Sequence, residues 1–366
     1  MKIESYKSGE YIERENYKYF LPSFINHTFT WDDEVINVLL EKASFKIGEL
    51  NGYTHYIPDI EPVINMFINK EAIASSRIEG ITVDINDYLY TKEDSKELKS
   101  VRNLVNAFNV GFSKERKCVF FLELIKESHR DLFPYNGGAY KQEENWIGGN
   151  SINNAIYVPP ARENLSDLMI DLEKFLNNEE INVPTLIKIA IAHYQFETIH
   201  PFFDGNGRIG RLMIPLFFVS KGILDKPLLY MSSFFEKNRS LYYDKLTYTR
   251  THNDLNQWIK YFLNGIIETC EESINTLSKV IKLKEEYENK ILKLGRRAEN
   301  AKKLLILLFS DPIVSVTDVS IKLDVSFKTA NELLQLFQDE NMLKEITNGK
   351  RDRLFSFSEY ITLFTN

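Results

Sequence analysis

The chain has 366 residues, 43% of them hydrophobic and 27% charged, with a net charge of −7 and a pI near 5.6. That length allows two or three domains with enough core to fold unaided, and the composition excludes disordered and fibrous classes. The acidic balance argues against a chain-wide nucleic-acid or anionic-membrane binder and suits neutral or basic partners.

The opening "MKIESYKSGEYIEREN" is charged where a signal peptide would be apolar, and runs such as "LMIPLFFV" fall short of a membrane span. The expectation is a cytoplasmic protein with no membrane contact. Cys118 and Cys270 are far apart and lack CxxC or Cys/His spacing, so two plain thiols are expected rather than a disulfide or a zinc site. Apolar residues recur at three- and four-residue steps over most of the chain, which predicts a mainly α fold.

In chain order, the first informative stretch is "KEAIASSRIEG", Lys70 to Gly80. It reads as a helix end with Gly80 as its left-handed cap, yet Glu79 places a carboxylate at the pole that already carries partial negative charge. Next, "ENWIGGNSINNAIYVPP" sets two short runs, Asn145 to Ile147 and Ala155 to Val158, around a Gly/Asn/Ser-rich turn. This predicts a β-hairpin within a helical protein.

The amphipathic helix "TLIKIAIAHYQF" then leads into "HYQFETIHPFFDGNGRIGR", His193 to Arg211, followed by the apolar helix "LMIPLFFVSKG". Gly205, Asn206 and Gly207 remove bulk where backbone N–H groups converge at a helix start, an arrangement that receives phosphate. Arg208 and Arg211 fall on one face of the first turns and can hold an oligophosphate. Asp204 can carry a divalent ion such as Mg²⁺ that bridges phosphates. A neutral His200 is suited to take a proton from an incoming hydroxyl. Together these parts suit phosphoryl or nucleotidyl transfer, which depends mainly on positioning and charge neutralisation. A competing metal-hydrolase set, His193, His200 and Asp204, is weaker because it lacks a third histidine and leaves both arginines without a task. Pro215 should kink the apolar helix or mark a loose first turn.

Between Glu271 and Leu294, Val280, Leu283, Tyr287, Ile291 and Leu294 describe a charged connecting helix. From Ala298 onward the order is one helix, two helices capped by Thr317 or Ser315 and by Ser326, and a hairpin turning at Asn348-Gly349. This is the layout of a winged helix-turn-helix. Its second helix sets Lys328 against Glu332, Asp339 and Glu340, the wrong sign for phosphate contact, while Lys344, Lys350, Arg351 and Arg353 on the wing permit weak backbone contact. The charges favour protein docking or dimerisation over DNA.

"HPFFDGNGRIGR" resembles the signature of the Fic family, His-x-Phe-x-Asp/Glu-Gly-Asn-Gly-Arg-x-x-Arg, at every defined position. The resemblance implies a Fic-type helical core that transfers AMP from ATP to a Ser, Thr or Tyr hydroxyl of a protein and releases pyrophosphate. His200 would be the base and Asp204 the Mg²⁺ ligand. Gly205, Asn206 and Gly207 would line the anion hole, and Arg208 and Arg211 would hold the outer phosphates. Phe202 would anchor the loop. The hairpin, through Ile147, Gly148, Gly149 and Asn150, is similar to the family's flap, which pairs with the target backbone by strand addition. Asn238, Tyr242, Tyr243 and Gln195 are expected to border the nucleotide. The resemblance runs from Thr54 to Tyr248 and less closely through the C-terminal module.

"SSRIEG" also matches the family's inhibitory motif, Ser/Thr-x-x-x-Glu-Gly/Asn, in Ser75, Glu79 and Gly80. This implies an inhibitory helix over residues 66–80 whose Glu79 occupies Arg211. The expected organisation is an N-terminal helical region over 1–95, a catalytic core over 96–265, a connecting helix over 266–295 and a winged helix over 296–366. Self-modification is expected, dimerisation stays open, and two alternatives are kept. One is a Fic-fold enzyme that uses another nucleotide or removes AMP; the other is a winged-helix transcription regulator with a Fic sensor core.

Overall fold

A computed structural model describes residues 1–57, 59–91, 95–113, 122–347 and 352–365. The chain is mainly helical, with small antiparallel sheets near each end. Among the described residues, no helix is long and apolar enough to cross a membrane.

The N-terminal region opens with an antiparallel pair, β1 (Gly9–Glu13) and β2 (Lys18–Pro22), in the register Gly9 to Pro22. Four helices follow: α1 (Glu34–Thr54), α2 (Glu61–Ile78), α3 (Ile85–Tyr90) and α4 (Lys96–Ser113). Asp33 starts α1 by accepting from Val35 N–H, as an N-cap carboxylate should. The sequence reading placed only helices over 1–95, so β1 and β2 correct it. The Phe20 N–H of β2 also donates to the Val158 carbonyl at 2.9 Å, which ties this pair to the flap.

The central layer holds α5 (Leu122–Leu132), α6 (Leu165–Asn177), α7 (Thr185–Ile199) and α8 (Asn206–Ser220). Nearly every side chain of α7 and α8 is buried. A helix apolar all round is a core helix, and these two pack on one another with α4, α5, α6 and α2 outside them. Pro215 lies inside α8, where it cannot donate to the Arg211 carbonyl one turn earlier.

Next come α9 (Ser232–Lys237), α10 (Arg239–His252) and the 38-residue α11 (Leu255–Leu292). Trp258 of α11 is fully buried and donates to the Ala190 carbonyl of α7 at 2.7 Å. The same helix continues outward to Leu292, so it runs through the expected junction at 265/266 without a break.

The C-terminal module consists of α12 (Ala298–Ser310), β3 (Ile313–Ser315), α13 (Val316–Leu323), α14 (Phe327–Asp339), β4 (Lys344–Glu345), β5 (Leu354–Ser356) and α15 (Ser358–Thr362). Its sheet has the order β3-β5-β4. Ser315 caps α13 in a reciprocal box with Asp318, and Ser326 caps α14 through Thr329 N–H. The expected turn at Asn348-Gly349, with Lys350 and Arg351, lies outside the described residues. So does Cys118; Cys270 is a buried free thiol. Helix α12 packs on α2, and Phe364 meets Phe67 of α2 edge-on at 5.2 Å.

The hairpin expected over 145–158 is reduced to one antiparallel bridge, Ile147 with Tyr157. Asn154 explains this: its Oδ1 accepts from the Asn150 and Ser151 N–H groups at 3.2 and 2.9 Å, which closes the loop through a side chain instead of a ladder. Gly148 and Gly149 take φ of 69° and 73°, where a side chain would be strained.

Candidate active site

The loop between α7 and α8 is short and held from several directions. His200 ends α7 in the left-handed region, with φ 50° and ψ 59°, and its N–H still donates to Phe196 O. Such a conformation persists in a non-glycine residue only where the surroundings enforce it. Phe202 supplies part of that constraint: it is fully buried and stacks on His129 at 3.8 Å. Asn206 supplies more, because its Oδ1 accepts from Phe202 N–H and its Nδ2 donates to Phe202 O, both at 2.8 Å. The Asn206 side chain therefore closes the loop, which leaves its backbone N–H at the start of α8 as the part that could face an anion.

His129 fastens the other side. Its Nδ1 accepts from Gly138 N–H at 2.9 Å, so the ring is protonated on Nε2, which donates to the Asp204 carbonyl at 3.0 Å. Lys141 and Asn145 complete the clamp. Lys141 N–H donates to Pro201 O at 2.9 Å, its Nζ to Asn145 Oδ1 at 2.7 Å, and Asn145 Nδ2 to Phe202 O at 3.1 Å. His200 Nδ1 is buried and, among the described residues, has no side-chain partner, the Glu197 backbone being the neighbour that favours its protonation. Burial first, then the Lys141 charge, push this imidazole down to about 4 against the opposing pull of Glu79, so near pH 7 it is neutral and able to accept a proton.

Gly205, with φ 78°, precedes α8, and the first turn of that helix directs N–H groups and positive dipole out of the loop. A side chain on Gly207 would collide with Glu79 Oε1, so the Glu79 carboxylate rests on this helix start. Arg211, 1% exposed, reaches the same carboxylate. Its Nη2 donates to Glu79 Oε1 at 2.7 Å and to Ser75 O at 2.9 Å, and its Nε to Ser75 Oγ at 2.9 Å. Burial alone would raise the Glu79 carboxyl, but Arg211 holds it below the ordinary glutamate value. Gly80, with φ 84°, lets the chain leave α2 directly behind Glu79.

Arg208 is also buried. It donates to Ser100 Oγ at 2.7 Å and lies 3.6 Å from the Asp204 carboxylate and 5.1 Å from the Phe133 ring centroid. Asp204 itself points outward, with its side chain 72% exposed. An exposed hard-oxygen donor beside an anion-receiving helix start fits a Mg²⁺ that completes its shell with phosphate and water.

Residues 120–218 match the Fic/DOC family and residues 37–113 match the Fic/DOC family N-terminal region. Over these two segments the chain is similar to the Fic/DOC family. The protein adenylyltransferase Fic of Drosophila erecta is 33% identical over 110 residues, covering 29% of this chain and 21% of that protein. The one from Aedes aegypti is 30% identical over 155 residues, covering 41% of this chain and 28% of that protein. The chain thus spans about a fifth to a quarter of these relatives. A Fic family protein from Desulfovibrio desulfuricans G20 has the same fold with a TM-score of 0.59 at 18% identity, covering 91% of this chain and 98% of that one. A C. elegans Fic-1 fragment, residues 134–508, gives 0.52 at 20% identity over 68% of this chain and 74% of that one.

Within this Fic fold, His200, Asp204, Gly205, Asn206, Gly207, Arg208, Arg211, Ser75, Glu79 and Gly80 come together, and Tyr242 and Tyr243 lie within electrostatic reach of Arg211 and Glu79. His193 is not available as a ligand: its Nδ1 donates to Gly210 O at 3.0 Å and its Nε2 accepts from the Tyr242 hydroxyl at 2.9 Å. The hydrolase set is therefore not assembled, and among the described residues no group of three or more His, Cys, Asp or Glu gathers. Tyr242 is spent on His193 and packs on Phe235 at 4.4 Å, inside the core. Tyr243 is half-buried beneath Arg239, and Asn238 is exposed where α9 meets α10. Gln195 faces the other way, donating to Ser23 O at 2.9 Å.

Lys141, Asn145, His129 and Ser100 escaped the sequence reading because they lie outside any motif. Glu197 escaped it too. It sits against Gly210 on the inner side of the site, and burial pushes its carboxyl up to about 7 despite the nearby Arg211.

Proposed function

We propose that this protein transfers AMP from ATP to a Ser, Thr or Tyr hydroxyl of a protein, itself included, and releases pyrophosphate. The reading is carried by one juxtaposition: a neutral His200 held at one end of a loop whose other end presents a helix N-terminus and two buried guanidinium groups. ATP would place its outer phosphates on the first turn of α8, with Arg211 and Arg208 neutralising them. His200 would accept the proton of the target hydroxyl as its oxygen forms a bond to the α-phosphorus, and the bond to pyrophosphate would break with the electron pair. Asp204 would hold Mg²⁺, which when bound neutralises phosphate charge. The flap around Ile147, Gly148, Gly149 and Asn150 would receive the target backbone.

Glu79 would act as a resident competitor. An anion on the α8 start and on Arg211 takes the two features that the outer phosphates need, so the chain would be self-inhibited until Glu79 withdraws. We infer that the C-terminal module is a winged helix with a docking role rather than one in DNA recognition.

The test is intact-mass measurement after incubation with ATP and Mg²⁺. Glu79→Gly is expected to gain the mass of AMP faster than wild type. Folded His200→Ala should gain none while still binding ATP, and transfer retained in that variant would refute the assignment of the base.

A further inference from the structure

Lys141 is anomalous outside the motif. It is 2% exposed, and among the described residues its ammonium donates to a neutral amide oxygen, Asn145 Oδ1, with no carboxylate in ion-pair contact. Burying a charge without a counter-charge is costly, and proteins normally avoid it by pairing or neutralisation. An influence of opposite sign comes from Glu144, whose Oε2 is, among the described residues, also buried without a hydrogen-bond partner. Burial accordingly pushes the Lys141 ammonium down to about 8.

What this residue touches is informative. Its backbone N–H holds Pro201 O, the carbonyl directly after His200. Its side chain orients Asn145, whose amide donates to both Phe202 O and Phe203 O, at 3.1 and 3.4 Å. Lys141 therefore grips the three residues that follow the base. Of the groups acting on the His200 ring, Lys141 opposes its protonation, while Glu79, Asp204 and the Glu197 backbone favour it.

We propose that Lys141 is a positioning residue for His200: through Asn145 it fixes the loop after the base, and its buried charge opposes a second positive charge on the imidazole. The consequence lies in the proton's path. When His200 takes the hydroxyl proton it becomes an imidazolium in the field of a buried ammonium, and the repulsion drives that proton on to solvent water, which restores the neutral base for the next turnover. This rests on the proposed role of His200 only for its effect on rate.

The experiment follows the His200 ring by NMR as a function of pH in the full chain without ATP, assigning its signal by its loss in His200→Ala. The wild-type midpoint is expected near 4. Lys141→Met should move it up toward the ordinary histidine value, Lys141→Arg should hold it, and Asn145→Ala should leave it in place while slowing transfer. The proposal is overturned if Lys141→Met slows transfer with the midpoint unmoved, since Lys141 would then be a brace only. It is equally overturned if Asn145→Ala shifts the midpoint as much as Lys141→Met. If Lys141→Met does not fold, the wild-type ring signal still decides, because it should show a second small step near pH 8 as Lys141 loses its proton, and a flat signal there refutes the charge role. Loss of transfer at every pH with the titrations as expected would instead count against AMP transfer and leave Lys141 in place.

Discussion

Helix α2 carries two inward-facing carboxylates about two turns apart, and they have opposite fates. Glu71, 1% exposed, accepts from Ser232 N–H at 3.0 Å and from Ser232 Oγ at 2.5 Å, where α9 begins. Glu79 lies where α8 begins and pairs with Arg211. Each thus meets the positive end of a second helix, which answers the poor position of Glu79 at the end of its own. The difference is the cation. Two neutral donors, with Arg211 and Lys70 acting without a bond to it, leave burial dominant and the Glu71 carboxyl is pushed up to about 7, whereas the arginine bonded to Glu79 draws it below its ordinary value. A helix start and hydroxyls anchor a carboxyl; an arginine keeps it charged and therefore able to compete with phosphate.

That contrast can be tested directly. The largest effect is expected from Glu79→Gly, which frees both Arg211 and the α8 start. AMP transfer should rise about tenfold or more, the change that about 1.4 kcal/mol of competition represents, and an unchanged rate on folded protein would remove Glu79 from the account. Ser75→Ala deletes the hydroxyl that accepts from Arg211 Nε and leaves Glu79 in place. A hydrogen bond of about 1 kcal/mol predicts a rise of roughly fivefold at most; a rise matching Glu79→Gly would mean that Ser75, not the charge, holds the lock.

Glu71→Gln should give the smallest effect and show it in stability alone. With the native carboxyl at about 7 and the unfolded one near the ordinary 4.5, the native state binds the extra proton between those values, so Glu71 lowers stability as pH rises through that window. Glu79 has the opposite sign: its contribution is present above the unfolded value and is lost as pH falls through its lowered native one. Relative to wild type, Glu71→Gln should therefore gain Tm between pH 5 and pH 8, at roughly 2–4 °C for each kcal/mol, with transfer unchanged. A parallel pair of Tm curves would mean that Glu71 is charged like Glu79.

Legibility in the sequence followed distance along the chain. The loop from His200 to Arg211 could be read because its parts are contiguous and the helix start is local. Ser315 and Ser326 could be read as caps for the same reason. The pair β1 and β2 left a weak signal, two short apolar runs around the polar turn of "YIERENYKYF", hidden by its charge. The flap misled because Gly, Asn and Ser suit a hairpin turn, yet an Asn side chain took the bonds that a ladder would have used. The partners of Tyr242 and Gln195, His193 and Ser23, could not be read from position along the chain, because helical rotation decides which way each side chain turns.

The sequence by itself determined the mainly helical fold, the motif loop and the presence of a glutamate at an electrostatically poor helix end, since each depends on neighbours within a turn or two. Only the tertiary structure decided what that glutamate meets. The Glu79 to Arg211 contact, the Glu71 anchor on α9 and the Lys141 clamp all join segments distant in the chain, and their geometry is set by how buried helix faces pack rather than by any local preference.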